Sequence, residues 1–439
     1  MKIKNKKIKY NSGAAMLISV IFFLFISLAI IAGLVSPSVR EFKIARDYLQ
    51  SRQSFFLSES AIEDSYYRIN NSLPLGSTDT LTIGSTTATA TIVADDVNNK
   101  TITSLGDLSS RQRTNQLKIN SNSSVVFAYG TQAGEGGIIF LQNTGLVGNL
   151  YSNGPIAGYS NAYVTGNAYA AGSSGTITTS GGSFCIGGFT SNNHCTLNSS
   201  DAHAHTITGT TVAGTLYCQT GSSNSTSCNT TQADPAVISL PVTDANITTW
   251  KHDAATGTII NGDYTVSADT TLGTANATEI TGNLTVNSRT TLTIANTIYV
   301  VGNIVINGDL QMASIYGPHS AVIIADGLIS TGGGVHVYDS GTAGSYVMLL
   351  STSTCDENTS TGPCSGHNAM DIGNSSDIMI INAQNGTVYM ANGGNAKEVV
   401  GQKIRLKNNT VVTYGTGSTT ANFLSGIGNV WRVSSWLEI

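Results

Sequence analysis

Apolar and polar positions change their spacing twice along this chain. From Ala14 to Val35 it is apolar apart from Ser19 and Ser27, with no charge. At about 1.5 Å per residue that stretch spans roughly 33 Å, enough to cross a bilayer. Between Pro37 and Pro74 there is no proline and no glycine. There Ile44, Tyr48, Phe55, Ile62, Tyr66 and Ile69 recur at helical steps, while Arg46, Arg52, Glu59, Glu63 and Arg68 lie mostly elsewhere on the wheel. The pattern predicts one nearly continuous helix from about Ala14 to Asn70, apolar all round over 14–36 and amphipathic over 37–72. Pro37 is the expected point of a kink.

After Pro74 the period becomes two. TLTIG, ATATIVADD, KTITSLG and TNQLKINS alternate and are separated by Gly, Asn and Asp. They predict a small antiparallel sheet over 73–122. The Ile62, Tyr66 and Ile69 face is the natural one to pack on it.

From 123 to the end the signal is repetition. GNLYSNG begins at Gly148 and GNAYAAG at Gly166; GNLTVNS begins at Gly282 and GNIVING at Gly302. A recurrence near 20 residues is the size of one coil of a β-solenoid, a parallel β-helix-like stack. Gly and Asn tolerate the left-handed backbone of tight corners. Ile304, Ile306, Val322, Ile324, Ile378 and Ile380 are the expected inward residues. A β-sandwich is the rival, but it predicts no fixed period. The cysteine-containing stretch at about 177–250 reads as an insertion, and the C-terminal NVWRVSSWLEI as a strand capping the last coil. The fold class is therefore mostly β: a long N-terminal helix, a small antiparallel sheet, then a solenoid head.

Composition narrows the function. Charged residues are only 11% of the chain and the net charge is −5. Without Lys2, Lys4, Lys6, Lys7 and Lys9 the charge falls to near −10, so no basic stripe is left for a nucleic acid. Those lysines place the N-terminal flank in the cytoplasm and everything after Arg40 outside. Cys185, Cys195, Cys218, Cys228, Cys355 and Cys364 fall into three local groups of two, which suits disulfides outside the cytoplasm. Six cysteines allow about 15 connectivities, so the pairing stays open. The short C-x2-C spacing of a zinc site is missing.

The lysine-rich leader ends at NSG, immediately before AAMLISV, and the helix continues as RDYLQSRQSFFLSESAIEDSYYRI. This resembles the class III signal and N-terminal helix of type IV pilin-like proteins, nearest the minor pilins of the PilX N-terminal type. The resemblance covers about Lys2 to Ile69. It implies a leader of residues 1–13, cut by prepilin peptidase after Gly13, with N-methylation of the new amine on Ala14. It further implies that the helix leaves the bilayer to pack with other pilin-like subunits in a filament. One position departs from the family. Major pilins carry a glutamate at the fifth mature residue, and here that residue is Ile18. Its absence removes a partner for a neighbouring subunit's terminal amine and favours a minor subunit at the tip.

Two readings from other classes stand beside this one. The first is a single-span surface adhesin that is never processed. The second is a surface glycan-active enzyme, which needs clustered carboxylates; Asp263, Asp309, Asp326 and Asp339 are spread along the chain as turn residues. No G-x-S-x-G, P-loop or H-E-x-x-H occurs, and a non-enzymatic role without a cofactor is expected. His203 and His205, with His194 nearby, are a candidate metal pair on one strand face, against solvent-facing histidines beside a disulfide loop. Asp356 and Glu357 lack the spacing of a calcium loop. The expected partners are other pilin-like subunits, prepilin peptidase, the bilayer before assembly, and a surface or glycan ligand of the head.

Overall fold

The computed structural model describes residues 12–70, 73, 75–95, 99–120, 122–190, 194–223, 226–359, 362, 364–414, 419–424 and 431–439. The chain forms two compact units. One holds the long helix and a small sheet; the other is the coiled head.

In the first unit, helix α1 runs from Ser12 to Asn70 and passes through Pro37 without a break. Proline removes the hydrogen bond to the carbonyl four residues back, here that of Gly33. Ser38 Oγ donates to the Leu34 carbonyl at 3.0 Å in the same turn. Strands β1 (Thr78–Ile83), β2 (Thr86–Ala94), β3 (Asn99–Leu108) and β4 (Arg111–Asn120) form an antiparallel meander. A fifth strand, Arg432–Glu438, joins beside β4. The Ile439 N–H donates to the Thr114 carbonyl at 3.0 Å, and Arg113 pairs with Glu438 at 3.1 Å. The C-terminal segment expected to cap the solenoid therefore completes the small sheet, and the whole head is inserted in sequence between two strands of that sheet.

Of the face expected to pack on the sheet, Ile62 is fully buried and Tyr66 and Ile69 are half-buried, while Ile44 and Tyr48, nearer the N-terminus of the same row, are 59% and 60% exposed. The buried stripe is Ser54, Leu57, Ser58, Ala61, Ile62 and Ser65. Ser58 Oγ donates to the Ser104 carbonyl at 2.8 Å, and Ser54 Oγ to that of Arg111. Opposite lies Gly106, where a Cβ would sit 2.1 Å from the Ser54 carbonyl oxygen. Small residues on both sides let the helix backbone lie directly on the strands. Serine hydroxyls beside Ile62 meet the strand carbonyls, and apolar periodicity does not record them.

In the second unit, short strands pair in parallel with the strand one coil away. One inward column reads Leu284, Ile304, Ile329, Met370, Val388, Ile404, Ile138, Ile156, Ile177 and Ile207, each opposite the next. All ten are buried to 1% exposure or less. The step from Ile404 to Ile138 reveals the topology. The chain enters the stack in its middle at Thr131–Phe140 and winds outward to Thr220–Ser223, where Thr226–Ser227 turns back antiparallel. It then crosses to the opposite end, starts again at Thr258–Ile260, and coils back until Asn395–Lys407 pairs with Thr131–Phe140.

Two expectations change here. The stretch 177–250 is not one insertion: up to Ser223 it contains regular coil strands that continue the parallel ladders. After that come the crossing segment and helix α2 (Asp244–Ala255), capped by Thr243 and Asn246, with Trp250 fully buried. Val322, Ile324 and Ile380 are buried, yet they share the outer face with Tyr299 and Met348, while Ile323, Leu349 and Ile381 point inward. That outer face is covered in the fold. Thr419–Leu424 bridges to it at Ser320, and Trp250 of α2 meets Phe423 at 5.2 Å.

Candidate functional site

Helix α1 presents the first candidate surface. Met16, Leu17, Ile18, Phe22, Phe23 and Phe25 are each at least 63% exposed, and exposed apolar residues continue to Leu49. The helix is long and apolar enough to cross a membrane. Gly13 and Ala14 lie within its first turn, and residues 1–11 of the expected leader lie outside the described residues. Ile18, where the resemblance expects a carboxylate, is 66% exposed. Solvated large side chains along so many turns need an apolar surrounding, either lipid or other helices.

The disulfides and histidines sit in the head. Cys185 joins Cys195, Cys218 joins Cys228, and Cys355 joins Cys364, with Cα–Cα distances of 5.6, 5.1 and 4.8 Å. His203 and His205 do not form a ligand pair. His203 is stacked between Tyr169 and Tyr217, with ring centroids 4.5 and 4.6 Å away. Burial in that stack pushes its imidazole below the ordinary value, against the charge of Asp201 and a hydrogen bond with Gln232. His205 Nδ1 instead meets Asp234 Oδ2 at 2.9 Å, on the crossing segment. His194 lies apart, on the Cys185–Cys195 loop. Among the described residues no three of His, Cys, Asp or Glu gather as a metal site.

The acids singled out by sequence have structural partners. Asp356 pairs with Lys403 at 2.9 Å and Glu357 with Arg405, which fastens the Cys355–Cys364 loop to the stack. Burial disfavours ionised Asp356, but hydrogen bonds from Asn358 and Lys403 and the lysine charge hold it below the usual range. Asp263 accepts from the Asn283 N–H at 2.8 Å, Asp309 from the His336 N–H at 2.9 Å, and Asp339 from the Gly341 N–H at 2.9 Å. Asp326 is bound by Lys251 of α2, by Tyr299 Oη at 2.6 Å and by Thr352 at 2.9 Å.

The Gly-Asn repeats are explained by a ladder at one corner of the stack. Asn283 Oδ1 accepts the N–H of Asn303, 20 residues on, at 2.8 Å; Asn303 Oδ1 accepts the Leu328 N–H 25 residues on, at 2.8 Å. Asn149 accepts the Asn167 N–H and Asn167 the Asp201 N–H, both at 2.9 Å. Each preceding glycine is required by space: a Cβ on Gly302 would lie 2.5 Å from Asn283 Oδ1, and one on Gly166 would lie 2.4 Å from Asn149 Oδ1.

A second amide ladder, not anticipated from sequence, runs along another corner. Asn392 Nδ2 donates to Asn374 at 2.8 Å and Asn408 Nδ2 to Asn392 at 2.7 Å. On the coils beyond the Thr131–Phe140 strand, Asn161 Nδ2 donates to Asn143 at 3.1 Å and Ser183 Oγ to Asn161 at 3.3 Å. The Asn409 N–H donates to the Gln142 carbonyl at 3.3 Å and joins the two runs. Asn143, Asn161, Asn392 and Asn408 all hold left-handed backbone, with φ between 50° and 57°. Their sequence signal is only an asparagine in each turn.

No protein-family model matches the chain, and no curated protein matches it. Among solved structures, the competence-associated pilin ComZ from Thermus thermophilus is similar at 13% identity and a TM-score of 0.26, over 89% of this chain and 97% of that one.

Proposed function

We propose that this protein is a minor, pilin-like structural subunit. It is inserted in the cytoplasmic membrane through α1, released by cleavage after Gly13 and methylated on Ala14, and assembled by α1 into an extracellular filament that displays the coiled head. One observation carries the reading: a single helix is bare and apolar in its first half and docked on a five-stranded sheet in its second. A plain anchor needs only about 20 apolar residues and a linker. Here the rod that crosses lipid is continuous with the rod that carries a folded sheet, so removing it from lipid moves the whole unit. The NSG-AAMLISV junction and the lysines before it support the processing step, and three disulfides suit a head outside the cytoplasm. Ile18 in place of glutamate suits a subunit at the filament tip, which has no subunit above it to pair with.

The deciding measurement is the mature N-terminus of native protein, by intact mass and terminal peptide sequencing. A chain beginning at methylated Ala14 is expected. A chain still beginning at Met1 overturns the filament reading and leaves a permanently anchored surface protein.

A further inference from the structure

A groove of about 540 Å³ opens on the head, lined by Asn143, Asn161, Ser183, Phe189, His194 and Thr211. It lies where the second amide ladder meets the Cys185–Cys195 loop. None of these side chains is a carboxylate, an amine or a guanidinium. Asn143 and Asn161 are exposed. Their ladder bond uses one amide hydrogen of Asn161 and the oxygen of Asn143, so each amide keeps N–H capacity for an outside acceptor. Phe189 is half-buried and meets Tyr163 edge-on, with centroids 6.3 Å apart at 72°.

The described ends of the loop that carries Phe189 and His194 are tied to each other before any ligand arrives. The Cys185–Cys195 disulfide closes it, the Thr190 N–H donates to the His194 carbonyl at 2.8 Å, and the His194 N–H donates to Thr190 Oγ1 at 3.2 Å. Preorganisation lowers the ordering cost of binding. Asn143, Asn161 and Ser183 stand on successive coils, so at about 4.8 Å per rung they cover about 10 Å along the stack. That is the span of a disaccharide. Neutral polar groups in a row beside an aromatic ring match a ligand rich in hydroxyls, with an apolar C–H face and no ionised group. A phosphate, sulfate or uronate would find no cation in this lining except a protonated His194.

We propose that this groove binds a neutral saccharide chain lying along the stack, its hydroxyls on Asn143, Asn161 and Ser183 and one sugar ring against Phe189. The proposal goes beyond the filament reading and does not depend on cleavage at Gly13. The test uses the full chain in a detergent without a sugar headgroup. Saturation-transfer NMR and calorimetry are run with cellohexaose, maltohexaose and chitohexaose, and with hexagalacturonate as the anionic control. At least one neutral hexasaccharide is expected to bind. Its Kd should rise at least tenfold in Phe189→Ala and in the double variant Asn143→Gly/Asn161→Gly. Glycine keeps the left-handed backbone at both asparagines, so the double variant tests the amides even if Phe189→Ala disturbs the loop. Failure of every neutral probe, binding of hexagalacturonate alone, or a Kd unchanged in both variants overturns the proposal.

Discussion

The corner ladder predicts that one substitution, glycine to alanine, will have opposite effects at two positions of the same stack. At Gly302 a Cβ would stand 2.5 Å from Asn283 Oδ1 and 2.6 Å from the Gly282 carbonyl oxygen. The second neighbour is backbone, so it cannot swing aside, and it belongs to the adjacent coil, so relief means spreading two rungs. Overpacking of this kind costs about 1–3 kcal/mol. Alanine also restricts the unfolded chain, which returns about 0.4–1 kcal/mol. Gly302→Ala should therefore destabilise by about 1–2 kcal/mol, a fall in Tm of roughly 1.5–3 °C for a unit of about 300 residues at about 2.1 cal/mol/K of unfolding entropy per residue. At Gly333 the nearest atom to a Cβ is the Asn374 carbonyl oxygen at 3.4 Å, an ordinary contact, and φ there is not left-handed. Gly333→Ala should keep the unfolded-state gain alone and raise Tm slightly. Differential scanning calorimetry of the two variants beside the parent reads both. A Gly302→Ala variant as stable as the parent, or a Gly333→Ala variant that falls equally far, would refute the steric account of the Gly-Asn repeat.

Three further outcomes follow from the same geometry. Gly106→Val should cost more than about 2 kcal/mol and expose the 47–69 part of α1 to protease, because even a Cβ there lies 2.1 Å from the Ser54 carbonyl oxygen; limited proteolysis reads it. The double variant Cys355→Ser/Cys364→Ser should lower stability by about 2–3 kcal/mol, measured as a urea midpoint. For His203 the folded pKa lies below the ordinary 6.5, so the unfolded chain takes up the proton first. Its contribution is therefore full above pH 6.5 and declines as pH falls through 6.5 toward the depressed folded value. His203→Tyr, which keeps the ring stack, should flatten the change in urea midpoint between pH 7.5 and pH 5.5; an unchanged slope would show that the stack does not depress the imidazole.

What could be read without coordinates was whatever repeats locally. The helix boundaries follow from an unbroken run without proline or glycine after Pro37, and the four meander strands from strict alternation. The coil length follows from Gly-Asn pairs at 148, 166, 282 and 302, because each coil must solve the same corner problem with the same two residues. Long-range pairing left no such trace. Nothing in NVWRVSSWLEI distinguishes a solenoid cap from the edge of a sheet some 300 residues earlier in the chain, since either needs only a short alternating strand. Nothing local says that Ile404 packs on Ile138, because parallel coils are interchangeable in sequence and only closure of the stack decides which two meet. The serine face of α1 was hidden for a different reason: its contacts are hydroxyl to carbonyl at close backbone approach, which hydrophobic periodicity does not record. The groove at Asn143, Asn161 and Ser183 arises where a ladder, a disulfide loop and an aromatic ring converge, and only tertiary structure brings those three together.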